Sequence, residues 1–292
     1  MKKLVSLALA VLMLSALAIS ASASVDGACK GIVPQIDPGV IVVDGEMDDV
    51  YADALKVDID LFNTGSETGT HGEAYMLWAE GSYYLYVRVY DADVQVPTED
   101  MQMNTPWCTD SVEMFFDFGN NHELLTQQFR VDFSGFPSYY TEGGAEYAYG
   151  PVDAAPYFDE YAATWKDYGY NIEMKVNFST IGVALKQGDS IGLQLQINDM
   201  TADNESGTTA VYNMANSNDA KSWDTDLYDY VTLGEKIVIE TPVEEAPAEE
   251  AAAEEAPAAA APAAAPTTAD AGIIAAGAVM AVAAGVVLSK KH

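Results

Sequence analysis

Five stretches of this chain alternate apolar and polar residues with a period of two, and that pattern leaves little choice of fold. Successive side chains of a strand point to opposite faces, so such a run buries one face and offers the other to a different environment. In residues 83–91, Leu85, Val87 and Val89 share one face, with Tyr84, Tyr86, Arg88 and Tyr90 on the other. Val112, Met114, Phe116 and Phe118 oppose Glu113, Phe115 and Asp117, and Phe129, Val131 and Phe133 oppose Gln128, Arg130 and Asp132. Ile172, Met174, Val176 and Phe178 repeat the rule, as do Ile191, Leu193, Leu195 and Ile197 against Gln194, Gln196 and Asn198. Turn signals such as Glu80-Gly81-Ser82, Gly119-Asn120-Asn121, Gly143-Gly144 and Gln187-Gly188-Asp189 separate the runs. No long segment has helical periodicity. The expectation is an all-β domain, an antiparallel β-sandwich of jelly-roll or immunoglobulin-like form.

The two ends of the chain follow other rules. Lys2 and Lys3, an apolar run through Ile19 and the small-residue site Ala21-Ser22-Ala23 predict a signal peptide over residues 1–23. The folded domain is then expected over residues 24–240. Residues 241–271 are built almost entirely from Ala, Pro and Glu, too poor in apolar bulk to bury a core, and read as an extended, disordered stalk. Residues 272–288 form an uncharged apolar run closed by Lys290, Lys291 and His292. Its length is at the lower limit for a bilayer span, and the terminal lysines fit a tail kept inside. Residues 272–292 are thus expected to form a C-terminal hydrophobic helix that attaches the chain to the membrane. Together with Pro266-Thr267-Thr268 just upstream, this end also resembles a cell-wall sorting signal of Gram-positive bacteria, which implies attachment to the wall instead. Either way the domain is expected outside the cell.

A net charge of −32 argues against nucleic acid as a partner and leaves room for divalent cations. The two cysteines, Cys29 and Cys108, have no metal-ligand spacing. Export permits a disulfide between them, and spacing alone does not decide whether it forms.

The polar strand faces carry an unusual set. Glu113, Arg130, Gln194, Gln196 and Asn198 supply carboxylate, guanidinium and amide groups, which pair donors and acceptors with sugar hydroxyls. Glu113 and Arg130 read equally well as a plain cross-strand ion pair.

The order of several segments resembles a family 9 carbohydrate-binding module, the non-catalytic, DOMON-like β-sandwich often attached to xylanases. The resemblance runs from Ile41 to about Leu233. It rests on Val43-Asp44-Gly45-Glu46-Met47-Asp48, on Met76-Leu77-Trp78 with Tyr84-Leu85-Tyr86-Val87, and above all on the stretch from Pro106 and Trp107 through Asp110-Ser111-Val112-Glu113 to Asp117. Gln128-Phe129-Arg130-Val131, Gln194 through Asp199, Ser222-Trp223 and Tyr230-Val231-Thr232-Leu233 complete it. The resemblance implies that Trp107 and Trp223 clamp a terminal sugar ring of a glucan or xylan chain, with Glu113, Arg130 and Gln196 bonding its hydroxyls. Two indole walls about such a ring stand roughly 7–8 Å apart, twice a carbon contact distance. Trp78 and Trp165 read as core residues. The resemblance also implies a structural calcium. Asp44, Glu46, Asp48 and Asp49, or Asp224, Asp226 and Asp229, supply oxygen ligands, but none has a defined metal-loop spacing.

The leading reading is therefore carbohydrate binding at the cell surface without catalysis, alongside separate hydrolases. A glycosidase acting through paired carboxylates is disfavoured because the binding-module pattern occupies the whole folded stretch. Two alternatives are a haem-binding, DOMON-like redox domain, using His71 or His122 with Met101, Met103 or Met114, and an adhesive surface protein with a degenerate sugar site. Oligomeric state is not legible.

Overall fold

The computed structural model describes residues 27–120, 127–141, 146–202, 209–214 and 224–238. The expected signal peptide, stalk and C-terminal anchor lie outside these residues, as does Trp223. Among the described residues no helix is long and apolar enough to cross a membrane.

Among the described residues fourteen strands form one continuous sheet that curls into two facing layers. The first layer runs β10 (Phe158–Lys166), β11 (Gly169–Asn177), β5 (Ser82–Tyr90) and β4 (His71–Ala79), with β2 (Leu55–Ile59) on the far side of β4. The second runs β14 (Asp229–Lys236), β12 (Ser190–Met200), β6 (Ser111–Phe118), β7 (Gln127–Asp132), β8 (Pro137–Thr141) and β9 (Glu146–Tyr149). β1 (Cys29–Gln35) joins the layers: it lies parallel to β14 and meets β4 at the Gln35–Trp78 pair. β12 has two neighbours on one side, β14 against its first half and β13 (Thr209–Asn213) against its second, and β13 in turn pairs β3 (Leu61–Thr64). All pairings except those of β1 are antiparallel.

The period-two pattern fixes the core. Leu85, Val87, Val112, Met114, Phe129, Val131, Ile172, Met174, Leu193, Leu195 and Ile197 are all fully buried between the layers. Phe116 is the hub, meeting Tyr83, Phe129 and Phe178 edge-on at 5.3, 5.8 and 4.9 Å. Each such ring pair adds about 0.5–1.5 kcal/mol beyond the area it buries.

A second, smaller core lies on the outer face of β4 and β5. There Ile36, Ile41, Val50 and Tyr51 cover Leu77, Tyr84 and Tyr86. These two tyrosines are therefore packing residues, far in the topology from the polar face they accompany in sequence. The covering segment is pinned by a buried carboxylate on β11. Glu173 accepts from the Asp44 and Gly45 amides, both at 3.0 Å, and from the Tyr51 hydroxyl at 2.8 Å. Gly45 is needed there, because its φ of 81° is left-handed and a Cβ would meet Thr164 at 2.8 Å.

Of the two tryptophans expected in the core, Trp78 is buried and donates its indole N–H to the Gly234 carbonyl at 3.2 Å. Trp165 is not: it is 62% exposed. Its row on edge strand β10, Tyr161 and Ala163, packs against the core, but Trp165 lies near the strand's end, edge-on to Phe133 at 5.8 Å. Cys29 is exposed and Cys108 buried, and neither is in a disulfide.

Candidate functional site

Strand register brings the polar residues into line. Gln196 on β12 faces Glu113 on β6, Glu113 faces Arg130 on β7, and Arg130 faces Ser138 on β8. The row ends at Tyr149 on β9, opposite Ser138. These side chains point away from the inter-layer core because their strand neighbours point into it. The sequence pattern predicts an outward face here, yet Glu113, Arg130, Gln194, Gln196 and Asn198 are buried. The reason is that β3 with β13 on one side, and the β8–β9 hairpin on the other, turn the face into the floor of a hollow.

That hollow is a cavity of about 540 Å³, within the roughly 300–1,000 Å³ range of small-molecule sites. Trp107, Glu113, Arg130 and Gln196 all line it, as do Asn198 and the three tyrosines Tyr140, Tyr147 and Tyr149. Four of the five expected contact residues thus share one cavity; the fifth, Trp223, is outside the described residues.

The floor is a connected network. Arg130 Nε donates to Glu113 Oε1, while Gln196 Nε2 donates to Glu113 Oε2 at 3.1 Å and to Asn198 Oδ1 at 3.0 Å. Asn198 Nδ2 donates to Ser111 Oγ at 3.2 Å. An ionised carboxylate accepts at about four lone-pair sites, so Glu113 keeps capacity on both oxygens. Arg130 Nη1 is buried and, among the described residues, has no hydrogen-bond partner. A buried donor without a partner costs about 1–3 kcal/mol, so this position is prepared for an acceptor that the described residues do not provide. The floor offers acceptors and a donor side by side, the arrangement that adjacent hydroxyls on a ring require.

Trp107 lines the cavity from a separate segment. It is the middle residue of the 3-10 turn Pro106–Cys108, which follows helix α1 (Glu99–Asn104). Pro106 and Cys108 are buried and anchor the turn, and the Thr109 hydroxyl bonds back to the Pro106 carbonyl at 2.8 Å. The indole between them is left 51% exposed. An exposed indole and a polar row lining one cavity suit a ring with an apolar face and a hydroxylated edge.

The tyrosines are an addition that the sequence reading missed. Their signal was available: Ser138, Tyr140, Tyr147 and Tyr149 alternate on either side of the Gly143-Gly144 turn.

A second group of interest lies elsewhere. Asp91 follows β5, Asp110 precedes β6 and Asp199 is the penultimate residue of β12, and the topology brings these strand ends together. All three are buried, with carboxylate oxygens within 4.8 Å of one another. Burial pushes Asp91 up to about 6 and Asp110 up to about 8. Asp110 accepts from the Gln95 and Met200 amides at 2.6 and 2.5 Å, and Asp199 from the Thr70 hydroxyl at 2.9 Å. Among the described residues Asp91 Oδ2 is buried without a partner. Three buried hard oxygen donors with one orphaned atom fit a calcium-type ion. Of the acids singled out from sequence, Asp44 and Asp48 accept from backbone amides in turns, Glu46 pairs with Lys166, Asp224 caps a turn and Asp229 pairs with Lys30. His71 stacks on Tyr90 at 4.9 Å and Met114 is in the inter-layer core, while His122 is outside the described residues.

Residues 43–236 match the family described as carbohydrate family 9 binding domain-like. The chain is 29% identical over 166 residues to endo-1,4-beta-xylanase A of Thermotoga neapolitana, and 28% identical over 166 residues to that of Thermotoga maritima. The match takes in 55% of this chain but only 14% of either xylanase. In structure it is similar to a family 9 carbohydrate-binding module from Caldicellulosiruptor kristjanssonii, solved with cellotriose and with glucose. The TM-score is 0.55 for each, at 21% and 22% identity, covering 73% and 72% of this chain and 100% of the module.

Proposed function

This chain belongs to the family 9 carbohydrate-binding domains, which bind sugars without cleaving them, and from that premise we propose that its cavity grips the terminal ring of a polysaccharide or oligosaccharide. Glu113, Arg130 and Gln196 bond the ring's hydroxyls from the floor, and Trp107 stacks on one apolar face. Trp223 supplies the opposing indole. The observation that carries this reading is the aligned Gln196–Glu113–Arg130 row sharing one cavity with a half-exposed Trp107, with a buried Arg130 donor that has no partner among the described residues. Glucans and xylans are the proposed polymers, since a flat sugar face needs equatorial hydroxyls.

We further propose that the domain works outside the cell, held at the membrane or wall through residues 272–292. There a tethered binder keeps polymer ends near separate hydrolases, because local concentration substitutes for high affinity. A structural calcium is proposed at Asp91, Asp110 and Asp199.

Calorimetric titration with glucose, cellobiose and xylobiose tests the sugar reading. Binding is expected, with losses of tenfold or more (about 1.4 kcal/mol) in Trp107→Ala and in Trp223→Ala. If neither substitution weakens binding, the clamp is wrong.

A further inference from the structure

Asp110 and Asp199 are chain neighbours of the polar floor. Ser111 and Asn198 are register partners on β6 and β12, and Asn198 lines the cavity. Strand alternation turns the next residue, Asp199, to the reverse face, where it meets Asp91 and Asp110. Three connections run from this trio to the cavity. Asp110 follows Thr109, whose hydroxyl holds the Pro106–Cys108 turn that carries Trp107. Asn198 links Ser111 to Gln196, which in turn holds Glu113. Asp199 Oδ2 accepts from the Thr68 hydroxyl and, at 2.9 Å, from that of Thr70. The Thr68 and Gly69 amides donate to the Tyr212 hydroxyl at 2.8 and 2.9 Å. Tyr212 belongs to β13, which with β3 forms a wall of the cavity through Asn63, Thr64, Thr209 and Val211.

The trio also has an opening of its own. A separate hollow of about 350 Å³ is lined by Asp91, Asp199, Thr68 and Thr70, together with the exposed Asp93 and Asp167. At roughly 30 Å³ per water, it has room for an ion that keeps some of its waters and exchanges with solvent. Asp91 is 8% exposed, and its Oδ2 has no partner among the described residues. Three buried carboxylates this close oppose one another until a cation answers them.

We propose that the Asp91–Asp110–Asp199 trio is a calcium-responsive control point for the cavity, so that an ion held there raises the affinity for sugar. This rests on the reading of the cavity as the sugar site. The ion steadies the strand ends that carry the Trp107 turn, Asn198 and the β3–β13 wall. The ordering that sugar binding needs is then in place before the sugar arrives. Such a coupling is reciprocal, so sugar tightens the hold on calcium by the same factor.

Calorimetric titration of the full chain with cellobiose, in chelator and in saturating calcium, reads the coupling. Calcium is expected to tighten cellobiose binding about fivefold or more, and saturating cellobiose to tighten calcium binding equally. Asp91→Asn keeps an acceptor for the Asp93 amide and stands in the layer opposite the cavity floor. Its cellobiose affinity should be the same with and without calcium. A variant response equal to that of wild type overturns the inference. So does a wild-type response that exists only because the chelated chain unfolds, as read by circular dichroism. Equal wild-type affinities in chelator and calcium, or no calcium binding, also overturn it and leave the sugar reading standing. Protein that binds no cellobiose even in calcium refutes the sugar reading and the coupling together.

Discussion

Glu113 and Arg130 sit directly opposite one another on adjacent strands, both buried, with the guanidinium donating to the carboxylate. In this geometry each charge is the other's compensation, and both are also the floor of the cavity. Removing one side of such a pair leaves a buried charge unanswered, at a cost of about 3–5 kcal/mol. Glu113→Ala is therefore expected to lower the unfolding free energy by that amount in urea denaturation. Glu113→Gln, which keeps an acceptor, should fold and still weaken sugar binding. If Glu113→Ala were as stable as wild type, the pair would not be compensating as described.

A second prediction concerns acid and the N-terminal cover. Burial raises the Glu173 carboxyl from its usual 4.5 to about 7, with Asp48 adding repulsion. A group raised in the folded state stabilises fully below its unfolded value and loses that contribution as pH climbs through the folded one. Between pH 4.5 and 7 the loss is on the order of 3 kcal/mol. Glu173→Gln cannot ionise, so its melting temperature should gain on that of wild type as pH rises through this window. Parallel curves for the two proteins would show that Glu173 does not titrate there.

The aspartate trio predicts a metal response. At a calcium concentration a hundred times the dissociation constant, a native-state ion adds about 2.7 kcal/mol. For a domain of this size that is a rise of roughly 5–10 °C in melting temperature, reversed by a chelator. Asp199→Asn should remove most of it. Protons compete for the same oxygens, and Asp91 and Asp110 are raised to about 6 and about 8, so the gain should shrink on acidification. A melting temperature indifferent to calcium and chelator would argue against a cation there.

Thiol reactivity should be split. Cys29 is exposed, while Cys108 is buried and its thiol is pushed up by that burial. A thiol reagent is expected to label Cys29 in the native protein and Cys108 only after denaturation. Failure to label either in denaturant would mean that the two are bonded.

The inner faces of the strands were legible because a two-residue period is local information. Met114, Phe129, Leu195 and their neighbours lie where alternation put them. Glu113, Arg130 and Gln196 were legible for the same reason, as members of complementary faces. Their burial was not, because it depends on β3, β13 and the β8–β9 hairpin folding up around them. Trp165 shows the converse: its row faces the core, but near the end of an edge strand the opposite layer offers little more than Phe133. Tyr84 and Tyr86 disappear beneath residues 36–54, a cover that no strand pattern announces. The Asp91–Asp110–Asp199 group is invisible in sequence because three separate strand ends create it.

The placement of β14 between β1 and β12 has a mechanical meaning. Any tension entering the domain beyond Lys236 runs along β14 lengthwise. It meets a ladder to β1 along the strand and a second to β12 over Asp229–Thr232, both lying across the direction of pull. Extracting the strand requires ladders on two flanks to shear, whereas a strand at an edge pulled the same way is held by one. The parallel partner β1 also ties that strand to β4, so load is passed into the opposite layer instead of concentrating at the exit. A domain built this way resists being pulled from its C-terminal side while its cavity is engaged.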